Sequence, residues 1–306
     1  MKKNRTEVDK RKISGGWRRY IPIYLLAAPA VLLMVLYRYM PMMGLSLAFT
    51  DYSAGMSLAD AEWVGVKWFK MMFTNPEFAK VLWNTICISM LKLLFSFPAP
   101  ILLAILLNEM SSDRLKRSFQ TVIYMPHFLS WAILAGILFV LMSPQSGIVK
   151  YFGINTSIFL NSAAFRPLLI ISDIWKDSGW GTIVYLAAIT SISPEYYEAA
   201  MIDGAGRFQR MRYITVPCIA GTIVVLLILK MGSILDAGFD QIFMLYNPSV
   251  YDVADILDTY VYRIGMAQGR FALATSAGLF KSVVGLIMVV TANKIAKLID
   301  SEAGIL

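Results

Sequence analysis

The stretch "SPEYYEAAMIDGAGRFQRMRYITVP", residues 193–217, interrupts an otherwise oily chain. It carries Glu195, Glu198 and Asp203, then Arg207, Arg210 and Arg212, and gathers small residues between Ala200 and Gly206. Ser193 is placed as an N-cap, Pro194 suits the first helical position, and the two glutamates complement the helix dipole. Tyr197, Ala200, Met201 and Gly204 then share one face by the i, i+3, i+4, i+7 rule. Gly204 and Gly206 end the helix, and Pro217 opens the next apolar run. The expectation is a short, wet helix of about ten residues, roughly 15 Å long, too short and too polar to cross a membrane.

Outward from this island the chain is built for lipid. Of its 306 residues 58% are hydrophobic and 16% charged, against roughly 45–50% and 25% in soluble domains; mean hydropathy is +0.61. The apolar residues fall in runs long enough to cross a hydrocarbon core of about 30 Å. Six helical spans are expected, near residues 21–49, 78–107, 121–142, 165–190, 214–235 and 271–298, because backbone groups in lipid must be satisfied within the segment. The organisation read from this is a basic segment 1–19, a six-span domain 20–300 containing the loop 191–216, and a tail 301–306. The first run is too long for a secretory h-region and no small-residue cleavage site closes it.

The net charge of +8 reads as a topology signal rather than a nucleic-acid arm. Lys2, Lys3, Arg5, Lys10, Arg11, Lys12, Arg18 and Arg19 precede the first run, where they can also touch anionic lipid headgroups. Arg114, Lys116, Arg117, Arg207, Arg210, Arg212, Lys294 and Lys297 fall on the same side, against Lys67, Lys70, Lys150, Arg263 and Arg270 on the other. The positive-inside rule puts both termini and the quoted stretch in the cytoplasm of a multi-pass cell-membrane protein. The outer segments 51–77 and 236–270 have room for short interfacial helices. Cys87 and Cys218 read as small buried hydrophobes without a disulfide.

The stretch resembles the cytoplasmic motif of permease subunits in binding-protein-dependent ABC importers. That motif is E-A-A, three residues, Gly, nine more, then I-x-L-P; here it is Glu198-Ala199-Ala200, Gly204, and Ile214-Thr215-Val216-Pro217, with Val216 where Leu is usual. The segments "NTICISMLKLLFSFPAPILLAILLNE" (84–109), "YMPHFLSW" (124–131), "SDIWKDSGWGTIVYLAAI" (172–189), "LYNPSVYDVADILDTYVYR" (245–263) and "LFKSVVGLIMVV" (279–290) are similar to the multiple-sugar and polysaccharide branch. The resemblance implies an all-α, six-span, type I importer permease. Its motif would be a coupling helix docking on an ATPase through Glu198, Ala199, Ala200, Asp203, Gly204, Gly206 and Pro217. It also implies a second permease, usually a different chain, two ATPase subunits, an extracytoplasmic solute-binding protein and an oligosaccharide substrate.

The chain itself is not expected to be an enzyme. A phosphate-cradling loop needs G-x-x-x-x-G-K-[ST], and no lysine here follows a glycine; ATP and Mg would belong to the partner. One histidine and two distant cysteines do not make a metal site, and His127 reads as a packing residue. For the substrate path, ionisable residues inside spans face a bundle interior or cavity. The cluster Asp173, Trp175, Lys176, Asp177 and Trp180 offers polar groups and flat aromatic surfaces suited to sugars, with Asp173 and either Lys176 or Asp177 forming an i, i+3 or i, i+4 pair on one face of its own helix. A second candidate region runs from Lys230 through Asp236 and Asp240 to Gln241, expected at the outer mouth. Arg38, Lys92 and Lys281 are read as snorkelling to the headgroups. The rival reading is an ion-coupled secondary transporter of a small polar solute, which calls for internal repeats and broken helices.

Overall fold

A computed structural model describes residues 16–153 and 156–299 of the chain, with side chains between Tyr20 and Lys297. Residues 1–15 of the expected basic segment and the tail 301–306 lie outside the described residues. Among the described residues the regular structure is helical, joined by turns and irregular connections, apart from one isolated pairing of Thr50 with Trp63.

Helix α1 (Tyr20–Phe49) is followed by α2 (Lys67–Thr74), α3 (Pro76–Asn108), α4 (Asp113–Phe128) and α5 (Trp131–Leu141). Then come α6 (Ser162–Thr190), α7 (Pro194–Ile202), α8 (Arg207–Cys218) and α9 (Ala220–Gly232). The short α10 (Phe239–Leu245) and α11 (Leu257–Tyr262) lead into α12 (Phe271–Ile299). The expected short helices between spans are therefore present.

Three of these, α1, α3 and α12, are long and apolar enough to cross a membrane, and the total rises to five if α4 with α5 and α8 with α9 each count as one span. Helix α6 is long enough at 29 residues, but Asp173, Lys176 and Asp177 lower its hydropathy. The third and fifth expected spans are not straight. α4 and α5 meet at 106°, and α8 and α9 at 57°. Pro126 explains the first break, since it has no N–H to donate, and Ser130 then caps α5 by accepting from the Ile133 N–H at 3.4 Å.

Three apolar clusters hold the helices together. Phe165 and Leu169 of α6 pack with Ile242 and Leu245 of α10 and with Ala135 and Leu138 of α5. Phe78 of α3 packs with Tyr260, Leu273 and Ala277. At the end nearest residues 193–217, Ala104, Tyr185, Ile189 and Ile219 form the third. Outside these, the surface is oily. The apolar window of α1 buries nothing against the rest of the chain, and Leu26 is 82% exposed. Such a helix needs lipid or another protein around it.

Candidate coupling loop and transmembrane polar cavity

The loop folds as its residues dictate. Ser193 Oγ accepts from the Glu195 N–H at 3.4 Å, and Pro194 starts α7. The helix ends when Gly204 turns left-handed at φ +79°, letting the Ala205 N–H reach the Ala200 carbonyl at 2.8 Å; this is the glycine C-cap geometry. Gly206 caps α8, its N–H bonded to Gln209 Oε1 at 2.7 Å. No residue of α7 is buried. Glu198, Ala199 and Asp203 are exposed, as are Tyr196, Ile202 and Phe208 beside them. The loop is tethered rather than packed, through the Tyr197 hydroxyl, 3.0 Å from Thr215 Oγ1. A groove of about 500 Å³ separates α7 from the ends of α3 and α6 and is lined by Glu109, Tyr197, Glu198, Met201, Arg207 and Arg210. Pro217 lies just before the 57° bend and is exposed.

The second site lies where α3, α5, α6 and α9 converge. A wide turn in α3, with the Phe97 N–H reaching the Lys92 carbonyl five residues back at 3.1 Å, precedes Pro98; such turns often mark functional positions. Lys92 does not snorkel. It is 6% exposed, with Nζ 2.7 Å from Asp173 Oδ1 and 2.6 Å from Gln241 Oε1. Gln241, fully buried, donates onward to the Leu169 carbonyl at 2.7 Å and to Ser172 Oγ at 2.8 Å. It is a strut inside the protein and not part of an outer mouth. Gly238 is left-handed at φ +90°, and a Cβ there would collide with the Lys92 ammonium. Lys281 is also paired rather than snorkelling, with Nζ 2.6 Å from Asp236 and 2.7 Å from Asp258. Arg38 is exposed on α1.

The structure divides the cluster in α6 between two tasks. Asp173 and Asp177 line a cavity of about 210 Å³ together with Lys92, Trp131, Lys230 and Asp236. Asp173 pairs across to α3 instead of with Lys176. Lys176, 8% exposed, points to the break between α4 and α5, where Nζ donates to the carbonyls of His127 at 2.9 Å and Leu129 at 2.6 Å. Proline and the bend leave those carbonyls without helical partners, so an ammonium is drawn to them. Trp180 stacks on the His127 ring at 4.7 Å and 4°, and His127 Nδ1 lies 2.9 Å from Asp177 Oδ1. The backbone at Gly179 rests on the Ile123 carbonyl so closely that a Cβ would overlap it. Trp175 is 41% exposed on the outer face of α6, and Asp240 is exposed; neither lines the cavity. Trp131, missed as a site residue in the sequence, had one signal: it is the first residue after the Ser130 cap that follows Pro126. Of the cysteines, Cys87 is half-buried and Cys218 is exposed, a departure from the buried reading; both are free thiols.

At the opposite end of the bundle a polar lattice ties α3 to the segment before α11. Arg263 pairs with Glu77 at 2.8 Å and closely with Asp255. Asn84 Nδ2 donates to the Asp255 carbonyl at 3.2 Å, and Arg166 donates to Asn84 Oδ1 at 2.8 Å. Burial pushes the Asp255 carboxyl above the ordinary carboxylate range, while the Thr259 hydroxyl and the Arg263 guanidinium pull it back.

Residues 96–301, which include the loop 193–217, match the family described as binding-protein-dependent transport system inner membrane component. The chain belongs to this family. Protein LplB of Bacillus subtilis (strain 168) is 47% identical over 285 residues, covering 92% of this chain and 90% of LplB. The polygalacturonan/rhamnogalacturonan transport system permease protein YteP of the same organism is 45% identical, covering 92% of this chain and 89% of YteP. Among solved structures, a bacterial ABC transporter involved in the import of the acidic polysaccharide alginate contains a chain that superposes with a TM-score of 0.87 at 39% identity, covering 94% of this chain and 99% of that one. The bacterial alginate ABC transporter in complex with alginate pentasaccharide-bound periplasmic protein gives 0.85 at 40% identity, covering 92% and 96%. The protein is thus an inner-membrane permease component with the type I importer fold.

Proposed function

We propose that this permease is one half of the translocation path of an ATP-driven importer for an oligosaccharide or polysaccharide fragment. The observation that carries it is α7: a capped, glycine-terminated helix with every side chain unburied, at the end of a lipid-facing bundle. A helix held so loosely by its own chain is made to be gripped by another. Glu198, Ala199, Ala200, Asp203, Gly204 and Gly206 form its docking face for an ATPase subunit, and Pro217 with the bend behind it passes movement to the spans as rigid-body motion. Two ATPase subunits hydrolyse ATP with Mg, a second permease closes the path, and an extracytoplasmic binding protein delivers the sugar. That assignment draws support from the sugar-polymer systems named for YteP and the alginate importer. Counting α6 and both bent pairs gives six crossings, with both termini and α7 in the cytoplasm. The path runs along α6 and the segment from Lys230 to Gln241. Family membership disfavours the ion-coupled alternative.

The test is co-purification with the ATPase and ATP-dependent uptake in proteoliposomes. Gly204→Val forces a β-branched residue to φ +79°, at a cost of about 1–3 kcal/mol, and nothing else crowds the site. Glu198→Lys inverts a charge on the docking face. Both are expected to reduce ATPase recovery or coupled uptake while membrane insertion stays normal. Full recovery and uptake in both variants would remove the coupling role from α7.

A further inference from the structure

The groove behind α7 is lined by two cations and two carboxylates that do not meet. We propose that it is a phospholipid site of the cytoplasmic leaflet, in which Arg207 and Arg210 hold the phosphate diester while Glu109 and Glu198 accept hydrogen bonds from the headgroup. This rests on the topology given above, with α7 in the cytoplasm, and goes beyond the coupling role of that helix.

Charge is the first argument. Elsewhere Lys67, Lys80, Lys92, Lys281 and Arg263 each pair with a carboxylate. In the groove, the side chains of Arg207, Arg210, Glu109 and Glu198 enter no ion pair or hydrogen bond among the described residues. Arg210 gives the sharper sign, because its Nε is buried without a hydrogen-bond partner. Leaving a buried donor unpaired is costly, and such atoms mark a missing ligand or water. Two guanidinium groups three residues apart lie one above the other on a helix, and guanidinium matches phosphate oxygens in a bidentate fork.

The carboxylates select the headgroup. They repel a bare phosphate, but they accept from a headgroup that carries N–H or O–H donors. Ethanolamine and glycerol headgroups carry such donors and choline carries none. The groove therefore discriminates among phospholipids that share the same phosphate diester.

Position and lining favour a lipid over a soluble phosphate. The groove lies at the ends of α3 and α6, the level at which two spans leave the membrane on the cytoplasmic side. Ile189, Ile192 and Met201 give it an apolar side, and Ile189 belongs to the third apolar cluster, with Ile192 packed against it. Its volume of about 500 Å³ falls within the roughly 300–1,000 Å³ of small-ligand pockets. That is room for a headgroup and glycerol backbone, with the acyl chains left in the bilayer. A lipid seated here supplies the packing that α7, with no buried residue, lacks from its own chain.

The experiment uses the full transporter, with its ATPases, second permease and binding protein, in phosphatidylcholine nanodiscs. A trace of photoactivatable phospholipid carries a diazirine near the start of one acyl chain, and cross-linked peptides are mapped by mass spectrometry. Labelling of residues 189–212 is read against labelling of α1, which reports bulk lipid. A phosphatidylethanolamine probe is expected to enrich the groove about tenfold over a phosphatidylcholine probe. Arg207→Gln with Arg210→Gln should lower that enrichment about tenfold, while Arg210→Lys, which keeps the charge, stays within about threefold of the parent. Glu109→Met should narrow the headgroup preference to about threefold, since Glu198 still accepts. Equal labelling by the two probes in the parent, or enrichment that survives the double glutamine variant, overturns the site. No enrichment in the assembled complex also overturns it, because the ATPase would then fill the groove. Suppression by soluble glycerophosphoethanolamine as complete as by unlabelled phosphatidylethanolamine replaces the lipid with a soluble ligand and overturns it too. If the ATPases do not assemble with the parent chain, the importer reading fails instead, and the same labelling of the permease alone still decides the groove.

Discussion

Replacing Lys176 by Met tests how the break in the third span is held. The side chain keeps its apolar stem and loses only the ammonium, which donates to His127 O at 2.9 Å and Leu129 O at 2.6 Å. Hydrogen bonds to a charged donor contribute about 1.5–3 kcal/mol each, so the gross loss is about 3–6 kcal/mol. Part is returned because an ammonium only 8% exposed no longer has to be desolvated. A net loss of about 2–4 kcal/mol remains. For a chain of this size each kcal/mol moves Tm by about 2–4 °C, so thermal unfolding of the detergent-purified permease should fall by about 5–15 °C. Because Trp131 sits one residue beyond the capped break, oligosaccharide uptake should fall as well. The reasoning fails if Lys176→Met melts within about 1 °C of the parent, since the two carbonyls would then be satisfied without the lysine.

The buried pair of α3 and α6 should show strong coupling. Lys92→Met or Asp173→Leu alone strands one charge and should cost about 3–5 kcal/mol, whereas the double variant should recover most of it; melting curves decide, and a double variant no better than the worse single one refutes the pair. At the opposite end, Arg263→Met leaves the buried Asp255 without its counter-ion. The folded carboxyl, already raised by burial, then takes a proton more readily. The deficit should be absent below the ordinary carboxylate range, grow as pH rises and be full above the raised folded value, and a pH-independent deficit in melting temperature would contradict it. Orientation is checked by labelling with an impermeant maleimide in the cysteine-free background. Tyr151→Cys, at an 88% exposed position, should react in intact cells and Phe208→Cys only after permeabilisation; the reverse pattern inverts the topology.

The parts of this molecule that follow from local physics were readable in the sequence. Apolar runs located the long helices, and Ser193, Pro194 and Gly204 defined α7, because capping depends on residues a few positions apart. The breaks were less visible. Pro126 and Ser130 announce the 106° bend, but hydropathy runs straight through it, while the 57° bend falls at Ile219, between Pro217 and Gly221. The polar cavity was the least legible. Lys92 and Asp173 are 81 positions apart, and nothing in either neighbourhood distinguishes a buried partner from a snorkelling end. Asp173, Lys176 and Asp177 share a helical face, so an internal pair was the natural local expectation. Tertiary packing overrode it by offering each a better neighbour: Lys92 for Asp173, two orphan carbonyls for Lys176, and His127 for Asp177. The same override gives the cluster its meaning. One end of it fixes the bend and the other faces the cavity, so a single helix turn of α6 both aims Trp131 and builds the wall opposite it. If α7 is gripped as proposed, its movement would reach the groups that face the cavity through α6, which directly precedes it in the chain.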